Sequence, residues 1–508
     1  MFRGEQVIVS TQHRREAIVP TGIDGLDEIL RGGLPARNVY LVQGAPGTGK
    51  TTLALQFLQA GVAKGERVVY VALGETLSEL ETVARSHGWS LEGIDVCDLH
   101  GSEQVAPEAQ YTFFHPSEIE LGATTKTIMS WIDRVAPKRV VLDSLSEMRL
   151  LARDSLRYRR QVLALKHHMT ARGCTVLLLD TTSHPAPEFQ LETVAHGVLT
   201  LEQKAPAYGG KRRRLAFEKV RGVSFRDGWH DYLIATGGLR VFPRLVAGST
   251  DHDSSEGTIS SGDPGLDALL GGGVERGTST LLVGPSGVGK STIAMQFVRE
   301  ARARGERAAI YLFDESRAAW HMRSRALDLG LHDVDTEALV VQSINPSELS
   351  PGEFADRVRT EVASGVRLVV IDSVNGYNES MPEERFSSLH MHELLSFLGH
   401  AGVTTILVLA TIGSASGPAQ TTVDLSYISD TIIALRYFEA FGEVRKAISV
   451  LKKRTGAHEA TIRELEIRQG SGIRIGEKLH EFRGVLTGAP EYTGARQDLL
   501  GTDGERDS

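Results

Sequence analysis

Short, nearly continuous apolar runs recur along the chain, at residues 39–44, 67–73, 139–144 and 175–179, and again at 279–284, 308–313, 367–373 and 404–409. Runs of this length without polar alternation predict central parallel strands buried on both faces. Segments with helical spacing lie between them, such as 52–58 and 292–298. Strands alternating with helices predict an α/β fold with a mostly parallel central sheet. Shorter strand patterns at 214–219 and 447–452 close each half.

The pattern occurs twice. Gly22 and Gly262, Asp27 and Asp267, Lys50 and Lys290, and Glu75 and Glu315 each stand 240 positions apart, which identifies a tandem duplication. The first unit opens near Arg14 and carries Thr21-Gly-Ile-Asp-Gly-Leu-Asp27; the second carries Ser261-Gly-Asp-Pro-Gly-Leu-Asp267. Residues 1–13 then read as an N-terminal arm, 14–247 as the first domain and 258–485 as the second. Residues 248–257 are small, polar and free of aromatics, the composition of a linker. Residues 486–508 read as a polar tail, expected to be mobile from Glu491 onward.

Each unit runs an apolar strand into G-x-x-x-x-G-K-[ST] and then a helix: Gly44-Ala-Pro-Gly-Thr-Gly-Lys-Thr51, and Gly284-Pro-Ser-Gly-Val-Gly-Lys-Ser291. A loop that wraps a polyphosphate aims backbone N–H groups inward, and glycine reaches the dihedrals this needs without a Cβ clash. The loops offer Gly47, Thr48, Gly49 and Thr52 in one unit and Gly287, Val288, Gly289 and Thr292 in the other. Lys50 and Lys290 bring charge to the β/γ-phosphates, and Thr51 and Ser291 bring hydroxyls to Mg²⁺. A glycine-rich turn with a chance lysine would explain one copy, but not two in the same strand–loop–helix setting. ATP and Mg²⁺ are the expected ligands.

The strands at 139–144 and 367–373 run into Asp143 and Asp372, a Walker B pattern that holds Mg²⁺ at a strand end; a helix-capping aspartate is the plainer reading. The strands after the loop helices end at Gly74-Glu75 and Asp314-Glu315. Glu75, Asp314 and Glu315 are candidate catalytic carboxylates for ATP hydrolysis, against the alternative of solvated loop carboxylates. Lys219-Val-Arg221 and Lys452-Lys-Arg454 end equivalent strands and are candidates for cations delivered to a neighbouring subunit, against ordinary surface charge.

The charge balance is −8, with 56 Lys and Arg against 64 Asp and Glu, which opposes a surface that coats nucleic acid. The most basic cluster, Lys211-Arg-Arg-Arg214, reads as a solvated hairpin tip beside Gly209-Gly210. Two cysteines, Cys97 and Cys174, make no disulfide framework or metal spacing and point to a reducing cytoplasm. No apolar run approaches the ~18 residues that span a bilayer, and the N-terminus lacks a signal-peptide pattern.

With these motifs go Ala84-Arg-Ser-His-Gly-Trp89, Asp314-Glu-Ser-Arg-Ala318, Asp430-Thr-Ile-Ile433, Gly442-Glu443 and Phe482-Arg-Gly-Val-Leu-Thr-Gly-Ala-Pro490. Over roughly residues 14 to 490 the chain resembles the KaiC family of clock ATPases and autokinases. The resemblance implies two tandem RecA-like P-loop NTPase domains and a homohexameric double ring with ATP at subunit interfaces. It also implies a KaiB-like partner on the first ring. It adds Ser86, Lys219, Arg221, Lys452, Arg454 and His458 to the nucleotide contacts. The first tier would chiefly hydrolyse ATP and the second would phosphorylate itself across the interface. The family's adjacent Ser-Thr acceptors correspond to Ser426-Tyr427 here, so Ser426 is the expected phosphoacceptor and the phenol of Tyr427 replaces the second site. Thr421, Thr422 and Ser429 are reserves, and an interface hydroxyl is the plain alternative for Ser426. The family's catalytic base corresponds to Gly74 in the first unit and Asp314 in the second, so the first unit would hydrolyse slowly or rely on Glu75.

Two other functions fit a duplicated P-loop chain. A RecA-like DNA-processing motor needs basic pore loops and single-strand binding with steep salt dependence. A nucleotide-gated scaffold needs assembly and partner binding without phosphoryl transfer to protein.

Overall fold

The computed structural model describes residues 17–99, 116–152, 154–181, 191–205, 209–246, 257–331, 338–345, 347–379, 387–411, 427–440, 442–470, 472–486 and 490–494. The chain divides into two compact units at Arg244/Leu245. The expected linker, except for Gly257, lies outside the described residues.

Each unit is built on a nine-stranded sheet. In the first unit the phosphate-loop strand Val39–Gly44 is central, flanked by Thr175–Asp180 on one side and Gly197–Lys204 on the other. Arg139–Asp143, Val68–Ala72 and Ile94–Asp98 extend the parallel part, and the hairpins Arg212–Val220, His230–Ala235 and Gly238–Phe242 complete the other edge antiparallel. The second unit repeats this order around Ser279–Gly284, with Thr404–Ala410, Val366–Asp372, Arg307–Leu312 and Leu339–Ser343 to one side. Thr431–Ala440, Glu443–Lys453, Arg463–Arg468 and Gly472–Lys478 lie to the other. The predicted α/β class and tandem, mostly parallel sheets are therefore observed.

The continuous apolar runs become strands with both faces covered: every residue of Val68–Ala72 and Arg139–Asp143 is buried. Each face of each sheet carries its own apolar cluster. Burial at about 25 cal/mol per Å² of apolar surface makes these central strands the least replaceable part of each unit. Arg139, which opens an interior strand, is a buried charge. It is 1 % exposed, pairs with Glu66 at 2.6 Å and donates to the carbonyls of Pro20 and Phe57 at 2.8 Å, tying the entry segment and the loop helix to the sheet.

The Thr/Ser-Gly-x-x-Gly-Leu-Asp repeats are turn-and-helix locks. Thr21 donates to Asp27 through its amide (2.7 Å) and hydroxyl (2.8 Å), and Ser261 does the same to Asp267 at 2.7 Å through both. The second glycine lets the helix lie against the far strand, since a Cβ on Gly25 would stand 2.0 Å from the Val241 carbonyl oxygen.

The basic cluster is not a hairpin tip. Arg212 to Arg214 open a strand, and Arg214 pairs with Glu202 at 2.7 Å and stacks over Trp229 at 4.4 Å, leaving Lys211 at the turn. The start of the tail is also held: Glu491–Tyr492 pairs with Phe482–Arg483. Among the described residues no helix is long and apolar enough to cross a membrane.

Candidate nucleotide sites

At the carboxyl end of each central strand the chain turns into the glycine-rich loop. Gly47 and Gly49 have φ of 81° and 89°, and Gly287 and Gly289 have 76° and 115°, all in the left-handed region that side chains avoid. Space adds a second reason at the last glycine: a Cβ there would stand 2.6 Å from Ile234 in the first unit and 2.8 Å from Ile467 in the second. A tyrosine from the hairpin side of each sheet braces each loop, Tyr232 donating to the Thr48 carbonyl at 2.6 Å and Tyr437, on the strand next to the central one, to that of Ser286 at 3.2 Å.

Lys50 Nζ donates to the carbonyls of Gly44 (2.7 Å) and Ala45 (3.1 Å), and Lys290 Nζ to those of Gly284 (2.8 Å) and Pro285 (2.7 Å). Burial lowers both amines; Lys290, with Asp372 as the one carboxylate holding its charge, falls to about 8. For Lys50, Asp143, Asp180 and Glu75 all oppose the burial.

Asp143 does not cap the following helix. Its Oδ2 accepts from Thr51 Oγ1 at 3.0 Å and from Tyr70 at 2.5 Å. Ser291 is likewise bonded to Asp372, whose carboxyl is raised by burial. A hydroxyl and a carboxylate in contact beside a phosphate loop form an all-oxygen donor set, which suits Mg²⁺.

The cavities enclose about 470 Å³ in the first unit and about 390 Å³ in the second. Lys50, Thr51, Thr52, Glu75 and Asp143 line the first, and Lys290, Ser291, Thr292, Asp314, Glu315 and Asp372 the second. Burial, with Asp143 and Glu79 adding to it, pushes Glu75 up to about 7, and its Oε2 is buried with no partner among the described residues. Burial also raises Glu315, but Arg323 pairs with it at 2.7 Å and opposes the shift. Ser373 Oγ donates to Asp314 Oδ2.

Other predicted residues lie elsewhere. Thr48 and Val288 are buried, and the Thr48 hydroxyl donates to the Ala45 carbonyl. Ser86 is exposed, with its hydroxyl on the Val83 carbonyl of its own helix, and it does not line the cavity. His458 is half-buried and likewise away from its unit's cavity.

The four candidate cations sit toward the amino end of the central strand. Lys219 is opposite Val198, which is opposite Leu41, while the loop begins at Gly44; Lys452, Ile432 and Leu281 repeat that register. Lys219 and Arg221 donate to the carbonyls of Glu192 and Thr193, and Lys452 to that of Ser429. Arg454 donates to the Tyr427 carbonyl and lies 3.5 Å from Asp430. At about 3.3 Å per residue, such positions are ~10–16 Å from their own loop. Tyr427 is 55 % exposed at this same end of the second unit, whereas Ser426, Thr421 and Thr422 lie outside the described residues.

Sequence reading missed Tyr70, Tyr232 and Tyr437, which reach their partners from elements distant in the chain, and also Ser373, Arg323 and Glu147, which lie within eight residues of a predicted site carboxylate. Only Glu147 and Ser373, just after the Walker B aspartates, carried a positional signal.

A family model described as "ATPase: KaiC" matches the chain over residues 19–246 and 259–480. The chain is 27% identical over 482 residues to the circadian clock oscillator protein KaiC of Acaryochloris marina, covering 92% of this chain and 90% of that one. It is 27% identical over 480 residues to the circadian clock protein KaiC3 of Synechocystis sp., covering 93% and 94%. To the circadian clock oscillator protein KaiC of Synechococcus elongatus it is 28% identical over 497 residues, covering 95% and 93%.

Proposed function

The chain belongs to the KaiC ATPase family, and on that premise we propose that it is a homohexameric ATPase and autokinase that works as a timer or signalling switch. The first unit hydrolyses ATP, and the second transfers phosphate to Ser426 of a neighbouring copy. The observation that carries this reading is the separation within each unit: the phosphate loop, Walker B aspartate and acidic strand end share one cavity, while the cations stand at the other end of the sheet. A cation ~10–16 Å from its own loop serves a nucleotide only on an adjacent subunit.

In this reading Lys50 and Lys290 hold the β/γ-phosphates, with the loop amides around them. Thr51 with Asp143, and Ser291 with Asp372, would hold Mg²⁺, which neutralises charge on the phosphates when bound. Glu75 stands beside the γ-phosphate in the first cavity, and Asp314 and Glu315 in the second. For autophosphorylation, Ser426 Oγ forms the bond to the γ-phosphorus as the bond to the bridging oxygen breaks. ADP leaves with that electron pair, and the serine proton passes to the Asp314–Glu315 pair. Lys219, Arg221, Lys452 and Arg454 bring positive charge across the interface, and a KaiB-like protein is the expected partner of the first tier.

Incubation with Mg-ATP and intact-mass analysis tests the kinase: an increment of about 80 Da that disappears in Ser426→Ala is the expected result. ATP turnover with no increment would leave the second reading, a nucleotide-gated scaffold. The observation favouring that reading is the exposed Tyr427 phenol beside the expected acceptor. Light scattering with and without ATP tests the hexamer, and a Lys50→Ala chain that still assembles with ATP would remove first-tier nucleotide as the glue.

A further inference from the structure

The two cavities differ at one pair of positions, and the difference is reciprocal. At the strand end the first unit has Gly74 and the second has Asp314. The preceding residues make the same hydrogen bond, Leu73 N to the Asp143 carbonyl and Phe313 N to the Asp372 carbonyl, both 2.7 Å, so the two positions are structurally equivalent. Four residues beyond each of those aspartates, the first unit has Glu147 and the second has Gly376. Both stand in the short helix after the strand, Leu145–Leu151 or Val374–Glu379.

The glycines face the carboxylates. A Cβ on Gly74 would meet Glu147 Cγ at 3.1 Å, Cδ at 3.5 Å and Oε1 at 3.6 Å. A Cβ on Gly376 would meet Asp314 Oδ1 at 2.5 Å, Phe313 Cβ at 2.6 Å and Asp314 Cγ at 3.3 Å. One small space between strand end and helix therefore holds one carboxylate in each unit, entering from the helix in the first and from the strand in the second. Glu147 lines the first cavity and Asp314 the second. Glu147 is half-buried; its amide donates to the Ser144 carbonyl at 3.2 Å, and its carboxylate has no hydrogen-bond or ion-pair partner among the described residues.

We propose that Glu147 is the catalytic carboxylate of the first unit, occupying from the helix the place that Asp314 occupies from the strand in the second. This rests on the reading of the first cavity as an ATP-hydrolysing site. In the step, the water oxygen bonds to the γ-phosphorus while the bond to the bridging oxygen breaks and its electron pair leaves with ADP. Glu147 accepts the water's proton and passes it to solvent, and Glu75, past the strand end, lines the same cavity.

The test uses the full chain carrying Lys290→Ala, which silences the second cavity, and reads ATP turnover together with binding of a fluorescent ATP analogue. Glu147→Gln is expected to lower turnover about a hundredfold or more, the usual scale for a general base, with analogue affinity within about threefold. Glu147→Gly is expected to be equally slow, and Gly74→Asp added to it should recover about tenfold or more by recreating the second unit's arrangement. A carboxylate with a merely structural role would not be replaced from the opposite wall. Turnover of Glu147→Gln within about threefold of its parent overturns the proposal, as does a double variant that binds the analogue yet is no faster than Glu147→Gly. A parent that binds the analogue through Lys50 but hydrolyses nothing overturns the hydrolase reading itself, and Glu147's role with it, before any Glu147 variant is made.

Discussion

The two cavities share a backbone and differ in charge. In the first, Asp143 is held by both Thr51 and Tyr70; in the second, Ile310 stands where Tyr70 does, and Ser291 holds Asp372. Glu75 has a buried oxygen without a partner among the described residues, whereas Glu315 is paired with Arg323, at the helix position Val83 takes in the first unit. Three carboxylates surround Lys50 and one supports Lys290. Duplication has kept what the phosphate cradle needs, positive-φ glycines, a lysine and a strand-end aspartate, because these are backbone geometry. The walls have diverged because a carboxylate or cation can enter the same space from more than one element.

The comparison breaks most sharply at the lysines. Lys50→Ala and Lys290→Ala should each remove one nucleotide per chain, with affinity at the altered site falling about a hundredfold to a thousandfold, since truncating one partner of a buried charge pair costs ~2–5 kcal/mol. Equilibrium dialysis with a slowly hydrolysed ATP analogue reads this, and a stoichiometry that does not change would mean that the cavities are not the sites.

Next comes the tyrosine asymmetry. Tyr70→Phe removes a buried bond to a carboxylate and should destabilise the first unit by about 1.5–3 kcal/mol. Tyr311 has a buried hydroxyl with no partner among the described residues, so Tyr311→Phe should leave the second unit unchanged or slightly more stable. Hydrogen exchange of Val68–Ala72 and Arg307–Leu312 under mild urea compares them, and equal losses would contradict the asymmetry.

Titration sharpens it further. Lys290 at about 8 loses its charge as pH rises past that value, so analogue affinity at the second site should fall between about pH 7 and 9, and fall more than at Lys50. Glu75 makes the stability of the first unit depend on pH as well. Burial holds its folded pKa at about 7, above the 4.5 of a solvated glutamate, so between these pH values the unfolded chain has released a proton that the folded one keeps. Stability of the first unit therefore declines across that window and levels off above it, and Glu75→Gln should flatten the decline in a pH series of urea melts.

The smallest effect belongs to Arg323→Val. It copies the first unit's lining and removes a partly exposed ion pair, for a cost of about 1 kcal/mol or less. Glu315 should then titrate higher, readable by carboxyl-resolved NMR, and an unmoved Glu315 would show that the pair does not control its charge.

The chain alone determined the duplication, the α/β class, both phosphate loops and the Walker B strands, because each is written in contiguous residues whose periodicity or spacing obeys backbone geometry. It misread the arginines at 212–214 and did not foresee the buried pair of Arg139, since Glu202 and Glu66 come from other strands and loops. Glu147 stayed hidden for a related reason. The units run at an offset of 240 through Glu75 and Glu315 but at 229 through Asp143 and Asp372, so no constant spacing aligns Gly74 with Asp314 and Glu147 with Gly376 together. Which wall supplies a carboxylate is a property of the space between a strand end and a helix, and only the tertiary structure defines that space.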